Sequence, residues 1–449
     1  MNTTATSPTK ATIRKAGLFY FVFVMYSYTT GGPFGLEEMV TTSGPGMSLL
    51  YLLFLPFFLS IPVSLVAAEL TTAMPVDGGF YRWTRAAFGD FWGFLAGWWN
   101  WSASFLLGSA YAVLFTDYLA FYFPGLVGWK HYLVSLAIIA LIAWLNILGI
   151  DMVGKAATAL ELFIFLPVIV ITVMGLAKWQ HNPFVPLVPP HQPFAKVFGV
   201  GLALGLWLYA GYEQVSSVAE EVENPRRNYP LALAVVVPLS IATYFLPTFA
   251  SLAALGNWQE WRTGYFPIAA TLIGGAWLGS WMTLAAMVCD VALLNSTVLT
   301  STRMPFAMAE DGYLPAFLAR KHSRYGTPAV AIILSSVIYA ALAFHTLGQL
   351  ISIYLWLRCA TTVLTLFSAW GIRRKFPDLP RAFRIPGGTF GLWAAILVPV
   401  AMTYVALRYS DPIAMKWGPV ALLAGLLVYG LVRVRGMRPA RHAGKPDSG

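Results

Sequence analysis

Two short segments of this sequence combine helix-breaking residues with groups that could hold a small charged molecule. The first reads Tyr28-Thr-Thr-Gly-Gly-Pro-Phe-Gly-Leu-Glu-Glu, and the second reads Trp207-Leu-Tyr-Ala-Gly-Tyr-Glu-Gln. Glycine is unfavourable inside a helix, and proline removes a backbone donor and clashes with the preceding turn. Each segment therefore predicts an interrupted helix, whose free amides and carbonyls can face a bound molecule.

Three charged residues stand isolated within apolar surroundings, namely Glu213, Asp290 and Arg358. A charge inside a membrane is costly and is usually paired or functional. We expect Arg358 to pair with Asp290 or with Glu213, and we regard all three as candidates for proton coupling. Three roles stay open for Glu213: a helix cap, a partner for a substrate ammonium, or a proton site. Glu37 is better explained as a helix cap.

The surrounding chain predicts an all-α polytopic membrane protein. It is 58% hydrophobic and 11% charged, whereas an average soluble domain is about 25% charged. Its apolar blocks are about 20 residues long, the length that a helix needs to cross a bilayer. Twelve spans (TM1–TM12) are predicted, at 17–42, 47–70, 91–122, 132–150, 156–177, 197–221, 230–254, 276–301, 328–345, 348–371, 388–408 and 417–435, and a short external helix could occupy 255–275.

The interrupted spans one and six are five spans apart, which favours two inverted repeats with the binding site between them. We predict a first repeat at 13–177 (TM1–TM5), a second at 196–371 (TM6–TM10), and two further helices at 388–435 (TM11–TM12). Polar tails at 1–12 and 436–449 are predicted to be disordered and cytoplasmic.

The net charge of +10 could indicate a nucleic-acid-binding protein, but the positions of the charges argue against that function. With twelve spans, most of the 29 Lys and Arg residues fall on the side of both termini. The other side has only Lys130, Lys178, Lys196, Arg262, Arg408 and Lys416. By the positive-inside rule, this asymmetry places both termini in the cytoplasm of a multi-pass protein of the cell membrane.

Seven segments in order carry a resemblance to a known family. They are Ser27 to Glu38; Pro75-Val-Asp-Gly-Gly-Phe-Tyr-Arg-Trp; Phe91-Trp-Gly-Phe; Ala219-Glu-Glu-Val-Glu-Asn-Pro-Arg-Arg; Met308-Ala-Glu-Asp-Gly-Tyr-Leu-Pro; Ser323-Arg-Tyr-Gly-Thr-Pro; and Phe376-Pro-Asp-Leu-Pro-Arg-Ala-Phe-Arg-Ile-Pro. The chain resembles the amino acid–polyamine–organocation superfamily, and within it the polyamine uptake transporters of plants and protozoa and their bacterial relatives.

The resemblance implies a LeuT-type fold with substrate held at the unwound parts of spans one and six. It implies that amides at Thr30 to Gly32 bind a substrate carboxylate and that Trp207 covers the substrate as a gate. Polyamine members also carry acids at positions that approximately match Leu107, Thr297 and Thr365. Because this chain lacks those acids, a monocationic amine or an amino acid stays open as the substrate.

From these observations we expect a secondary transporter that imports an amino acid or a polyamine by alternating access, coupled to protons rather than sodium. An amino-acid exchanger, a channel and a substrate sensor are the alternatives. No enzyme motif, cofactor site or metal-ligand spacing is present in the sequence. The predicted substrate-binding residues are Thr30, Gly31, Gly32, Pro33, Phe34, Gly35, Glu38, Asn100, Trp207, Tyr209, Ala210, Gly211, Tyr212 and Glu213.

Overall fold

A computed structural model describes residues 17–74, 79–149, 157–211, 223–410 and 412–434. The described chain forms helices α1 (Leu18–Thr29), α2 (Glu37–Ser43), α3 (Pro45–Phe58), α4 (Ser60–Ala73), α5 (Gly79–Phe88), α6 (Asp90–Leu119), α7 (Trp129–Ile147), α8 (Ala157–Ala177), α9 (Phe194–Leu208), α10 (Pro225–Leu255), α11 (Tyr265–Gly274), α12 (Ala276–Ser301), α13 (Arg303–Glu310), α14 (Ala329–Leu342), α15 (Leu347–Lys375), α16 (Gly388–Arg408) and α17 (Pro412–Val434). Short 3-10 turns lie at Trp258–Glu260 and Ala316–Ala319.

The all-helical prediction is confirmed, and each predicted span overlaps one helix or one interrupted pair of helices. Eight helical stretches of the described chain are long and apolar enough to cross a membrane, and three shorter apolar helices lie at Val197–Leu208, Tyr265–Gly274 and Ala329–Leu342. The expected external helix is α11, at Tyr265–Gly274. The count of twelve spans and the division into two inverted repeats remain predictions.

The predicted interruption of span one is present. Helix α1 ends at Thr29, α2 begins at Glu37, and the chain between them is not helical. Gly32 and Gly35 adopt φ values of +80° and +84°, which L side chains rarely tolerate. The glycines therefore permit the break that the sequence predicts.

In span six, the first helical part ends where the sequence predicts the interruption. Helix α9 ends at Leu208, and Gly211 has a φ value of +110°. Helix α9 packs against α2, so the two interrupted segments are neighbours. Tyr212 and Glu213 lie outside the described residues.

Helix α6 positions much of the site, because it packs against α5, α7, α12 and α15. We call the side where α4 and α15 end and α6 begins the inner side, and the opposite side the outer side. On the inner side, Arg85 of α5 contacts Asp90, with 2.6 Å between Nε and Oδ1, and Asp311, with 3.4 Å between Nη1 and Oδ2. These ion pairs join α5 to α6 and to the turn after α13.

A second inner contact centres on Glu69 of α4, which is 2% exposed. Arg373 of α15 donates from Nε and Nη2 to its two carboxylate oxygens, at 2.5 Å each. The Ile385 amide nitrogen donates to Oε2 at 2.8 Å. Glu69 thus holds the end of α15 and the segment that leads to α16 against α4. Its paired hydrogen bonds to an arginine compensate for the burial of its charge.

Candidate functional site

Two adjoining cavities lie where the interrupted spans meet α6 and α12. The first has a volume of about 140 Å³ and extends toward the inner side. The second has a volume of about 60 Å³ and lies against the interruption of span one. Trp207, Tyr111, Ala210 and Leu293 line both.

Trp207 is held in place by the interruption of span one. Its side chain is 8% exposed, and a Cβ added at Gly35 would lie only 2.9 Å from its Cη2 atom. The Trp207 and Tyr111 rings lie 6.5 Å apart between centroids. Glycine at position 35 thus lets the indole approach the backbone at the point where the two cavities meet.

The first cavity is polar on the α6, α12 and α15 sides. Hydroxyl groups of α6 and α12 line it, at Ser104, Ser296, Thr297, Thr300 and Ser301. Arg358 of α15 is 6% exposed, and its Nη1 atom donates to Asn100 Oδ1 at 3.0 Å. Its guanidinium also lies over the Phe80 ring, 5.5 Å from the centroid. These residues could accept both the carboxylate and the polar groups of a small molecule.

The second cavity has a different character. It is lined by the backbone segment Thr29 to Gly32 and by the aromatic side chains of Phe34, Tyr111, Trp207 and Tyr244. Asp290 of α12 is its acidic residue among those described, and it is 1% exposed. Close packing joins the interruption to α12, because Cys289 donates to the Gly31 carbonyl oxygen and a Cβ added at Gly31 would lie 2.7 Å from Leu293 Cδ1.

Contacts between α2 and α6 fill the space on the outer side of these cavities. Tyr118 Oη donates to Glu37 Oε1 at 2.5 Å and accepts from the Gly35 amide nitrogen at 3.1 Å. The Phe34 ring meets the Tyr118 ring edge-on, with 5.4 Å between centroids. Further out, Thr263 Oγ1 donates to Glu38 Oε1 at 2.8 Å. The outer side is therefore closed over the site by residues of the described chain.

Comparison with known proteins agrees with this geometry. The family model described as amino acid permease matches residues 18–428. The chain belongs to the amino acid permease family. It is 31% identical to a polyamine transporter of Arabidopsis thaliana over 95% of this chain and 86% of the relative, and 31% identical to one of Oryza sativa subsp. japonica over 95% of this chain and 79% of the relative. An uncharacterized transporter of Mycobacterium tuberculosis is 30% identical over 62% of this chain and 61% of the relative.

Membership in this family makes the chain a multi-pass membrane permease, a secondary transporter of amino compounds. Its role is therefore transport. Among the described residues, no three His, Cys, Asp or Glu side chains are grouped as metal ligands would be.

The structure brings most of the predicted residues of this permease to the two cavities. Gly31, Gly32 and Phe34 line the second, Asn100 and Gly211 line the first, and Ala210 and Trp207 line both. Thr30 lines the second, although its Oγ1 atom is hydrogen-bonded to Ser240 Oγ at 2.7 Å.

Other predicted residues support the site from behind. Tyr209 donates from Oη to the Leu52 carbonyl oxygen. Pro33 and Gly35 are buried within the interruption, and Glu38 lies in the outer contact with Thr263. The expected contact of Glu38 with substrate therefore does not match its position in this conformation, because its carboxylate is directed to the outer loop.

One of the two expected ion pairs is not formed. Both carboxylate oxygens of Asp290 are buried without a hydrogen-bond partner among the described residues, so the Asp290–Arg358 pair is wrong. Asp290 lines the second cavity, whereas Arg358 lines the first. The alternative pair of Arg358 with Glu213 lies outside the described residues.

Sequence reasoning missed three residues of the site. Tyr111 and Leu293 line both cavities, and Tyr118 bonds Glu37. An aromatic residue on a long apolar helix gives no local sign of its partner. Tyr118 lies near the end of a predicted span, and it could have been identified only if its hydroxyl had been matched to a buried acid elsewhere in the chain.

Proposed function

We propose that this permease imports a small amino compound, either an amino acid or a polyamine, by alternating access and with proton coupling. The observation that carries the proposal is that the interruption of span one and the end of α9 in span six meet at Trp207, which lines both cavities. Interrupted spans at corresponding positions are typical of transporters that bind substrate near the middle of the membrane. The names of the plant relatives, which are polyamine transporters, bring amines into consideration.

In this proposal the substrate lies against the interruption of span one and beneath Trp207. The backbone at Gly31 and Gly32 supplies polar groups, while Ala210 and Gly211 form the opposite wall. Asn100 and Arg358 supply polar contacts on the inner side of the cavity. Tyr212 and Glu213 follow Gly211 directly in sequence, so we retain them as substrate-binding residues of the same wall.

Proton coupling is supported by the presence of ionisable groups at the site. Glu213, Asp290 and Arg358 are the residues we named for this role from the sequence. A buried acid could bind a proton when the site is open to one side of the membrane and release it when the site is open to the other. Such an acid would link proton movement to substrate movement. Import into the cell follows if both termini are cytoplasmic and the cell membrane is the one spanned, as the distribution of Lys and Arg suggests.

The test is uptake by the purified full-length protein in proteoliposomes. Radiolabelled putrescine, spermidine, arginine and leucine are supplied separately, with an imposed pH gradient or an imposed sodium gradient. We expect at least one of them to accumulate above its outside concentration when the outside is acidic. Protein-free liposomes control for leakage.

Three results would contradict parts of the proposal. Equilibration without accumulation under every gradient would indicate a channel, and absence of any uptake or exchange would indicate a sensor. Uptake that requires sodium and ignores the pH gradient would overturn proton coupling while leaving transport in place.

A further inference from the structure

The second cavity contains a buried acid that no contact of the described chain neutralises. Asp290 is 1% exposed, and neither carboxylate oxygen has a hydrogen-bond partner among the described residues. A buried ionised carboxylate without a partner is costly, by several kcal/mol at least. Such a group therefore either holds a proton or binds a positive charge that enters the cavity beside it.

Aromatic rings form much of the remaining wall. Phe34, Tyr111, Trp207 and Tyr244 all line this cavity, together with the aliphatic side chains of Leu114, Leu208 and Leu293. Neither Lys nor Arg is among its described lining residues. Aromatic faces attract cations, and a carboxylate combined with several rings is the arrangement that recognises an ammonium group. The cavity volume of about 60 Å³ is large enough for an ammonium group. An ammonium group is similar in size to a water molecule, which occupies about 30 Å³ in liquid water.

A second buried acid adds to the preference of this region for a positive charge. Glu37 is fully buried on α2, and its Oε2 atom has no hydrogen-bond partner in the described chain. Both acids flank the interruption of span one. Their negative charges would repel the carboxylate of an amino acid. The family resemblance implies that this carboxylate would bind at the amides of Gly31 and Gly32.

We propose that the second cavity is an ammonium subsite, in which Asp290 forms an ion pair with a primary ammonium of the substrate. This inference rests on the proposed function and narrows its substrate class to amines that place a cationic end group in the second cavity. Diamines and polyamines fit this requirement best. Asp290 supplies the anionic charge there, and the rings of Phe34 and Trp207 cover the alkyl chain and the charged head. This role differs from the proton coupling for which Asp290 was first considered.

Binding to the purified full-length protein tests the subsite directly. Dissociation constants for radiolabelled putrescine, and for leucine as competitor, are measured on the wild type and on Asp290→Asn, which keeps the shape but removes the charge. We expect putrescine to bind about 30-fold or more weakly, the usual consequence of losing one member of a buried charge pair. Leucine binding should change by less than about twofold, because the two buried acids disfavour its carboxylate in this cavity and so keep its α-ammonium from pairing with Asp290.

A matched control is Asp117→Asn, which neutralises an acid on the neighbouring helix α6. Asp117 Oδ1 lies 2.9 Å from His131 Nε2, and Asp117 does not line either cavity. It should leave putrescine affinity within about twofold, because the Asp117 carboxylate is paired with His131 and lines neither cavity. If Asp290→Asn fails to fold, Phe34→Leu replaces it, and we expect putrescine to bind about fivefold more weakly through the loss of one aromatic face.

The outcomes separate this inference from the proposed function. A wild type that neither binds nor transports any of the four compounds defeats the proposed function itself. Transport of amino acids without putrescine binding overturns only the ammonium subsite, as does wild-type putrescine affinity in Asp290→Asn or in Phe34→Leu. Asp290→Asn that binds putrescine normally but loses uptake driven by a pH gradient would make Asp290 a proton site instead.

Discussion

At the scale of single residues, Trp207 contributes to both cavities and to the contact with Gly35. We expect Trp207→Ala to weaken substrate affinity about tenfold or more, because the indole covers the substrate and offers cation–π attraction to an amine. Trp207→Phe, which keeps an aromatic face, should recover part of the loss. The measurement is the concentration dependence of uptake in proteoliposomes, with thermal stability in detergent recorded for each variant.

A tryptophan far from the cavities provides the control. Trp277 on α12 is 55% exposed, so Trp277→Ala removes the same side chain without touching the site. It should leave the apparent affinity unchanged. If Trp207→Ala also leaves it unchanged, Trp207 does not belong to the substrate site, and the two cavities are not joined through its ring.

At the scale of elements, the interruption of span one depends on Gly35. Its φ of +84° disfavours any L side chain, at a cost of about 1–2 kcal/mol, and an added Cβ would lie 2.9 Å from Trp207 Cη2. Gly35→Ala should therefore lower the free energy of unfolding by about this amount and also weaken substrate binding, because the indole must shift. Thermal unfolding and substrate affinity are measured on the same preparation.

Gly326 supplies a comparison in which only the backbone effect is present. Its φ is +69°, and an added Cβ would meet no atom within 4 Å. Gly326→Ala should cost a similar amount of stability while leaving affinity as it is. Equal effects of both variants on affinity would show that the Gly35–Trp207 contact has no role in binding.

The helices themselves were largely predictable, because hydropathy and helix length are local properties. The predicted spans at 276–301 and 388–408 coincide with α12 and α16. Helix α5, at Gly79–Phe88, was not predicted, because it is short and amphipathic and resembles a loop in a search for apolar blocks. The two glycine-rich interruptions were predictable for the same local reason, since Gly and Pro act on the backbone where they stand.

The contacts of the site were only partly predictable. Asn100 and Asp290 were predicted from polar residue types within apolar spans and Trp207 from the family resemblance, and all three line a cavity. The bond between Tyr118 and Glu37 joins residues 81 positions apart, and nothing in either segment indicates the other. Of the two partners expected for Arg358, Asp290 was wrong, because depth along a helix does not reveal which face a side chain occupies, whereas Glu213 lies outside the described residues. Arg358 also donates to Asn100.

At the scale of the whole molecule, charge is distributed unevenly between the two sides. The last turn of α15 carries Arg373, Arg374 and Lys375 on the inner side, whereas the outer turn Trp258–Glu260 carries an acid. Positive residues are retained on the cytoplasmic side of membrane proteins. This rule predicts that the inner side is cytoplasmic, and in that orientation the cavity that extends inward would release substrate into the cell.

Selective labelling of cysteines tests this orientation. The native cysteines, Cys289 and Cys359, are both buried, so labelling of the unmodified protein by a membrane-impermeant maleimide should be weak. Glu260 and Asp378 are exposed on opposite sides. In intact cells, Glu260→Cys should react at once, because its turn faces outward, while Asp378→Cys should react only after the membrane is permeabilised. The reverse pattern would place both termini outside and turn the proposed importer into an exporter. Equal reactivity of the two cysteines in intact cells would mean that they share one side, which would contradict the predicted number of spans between them.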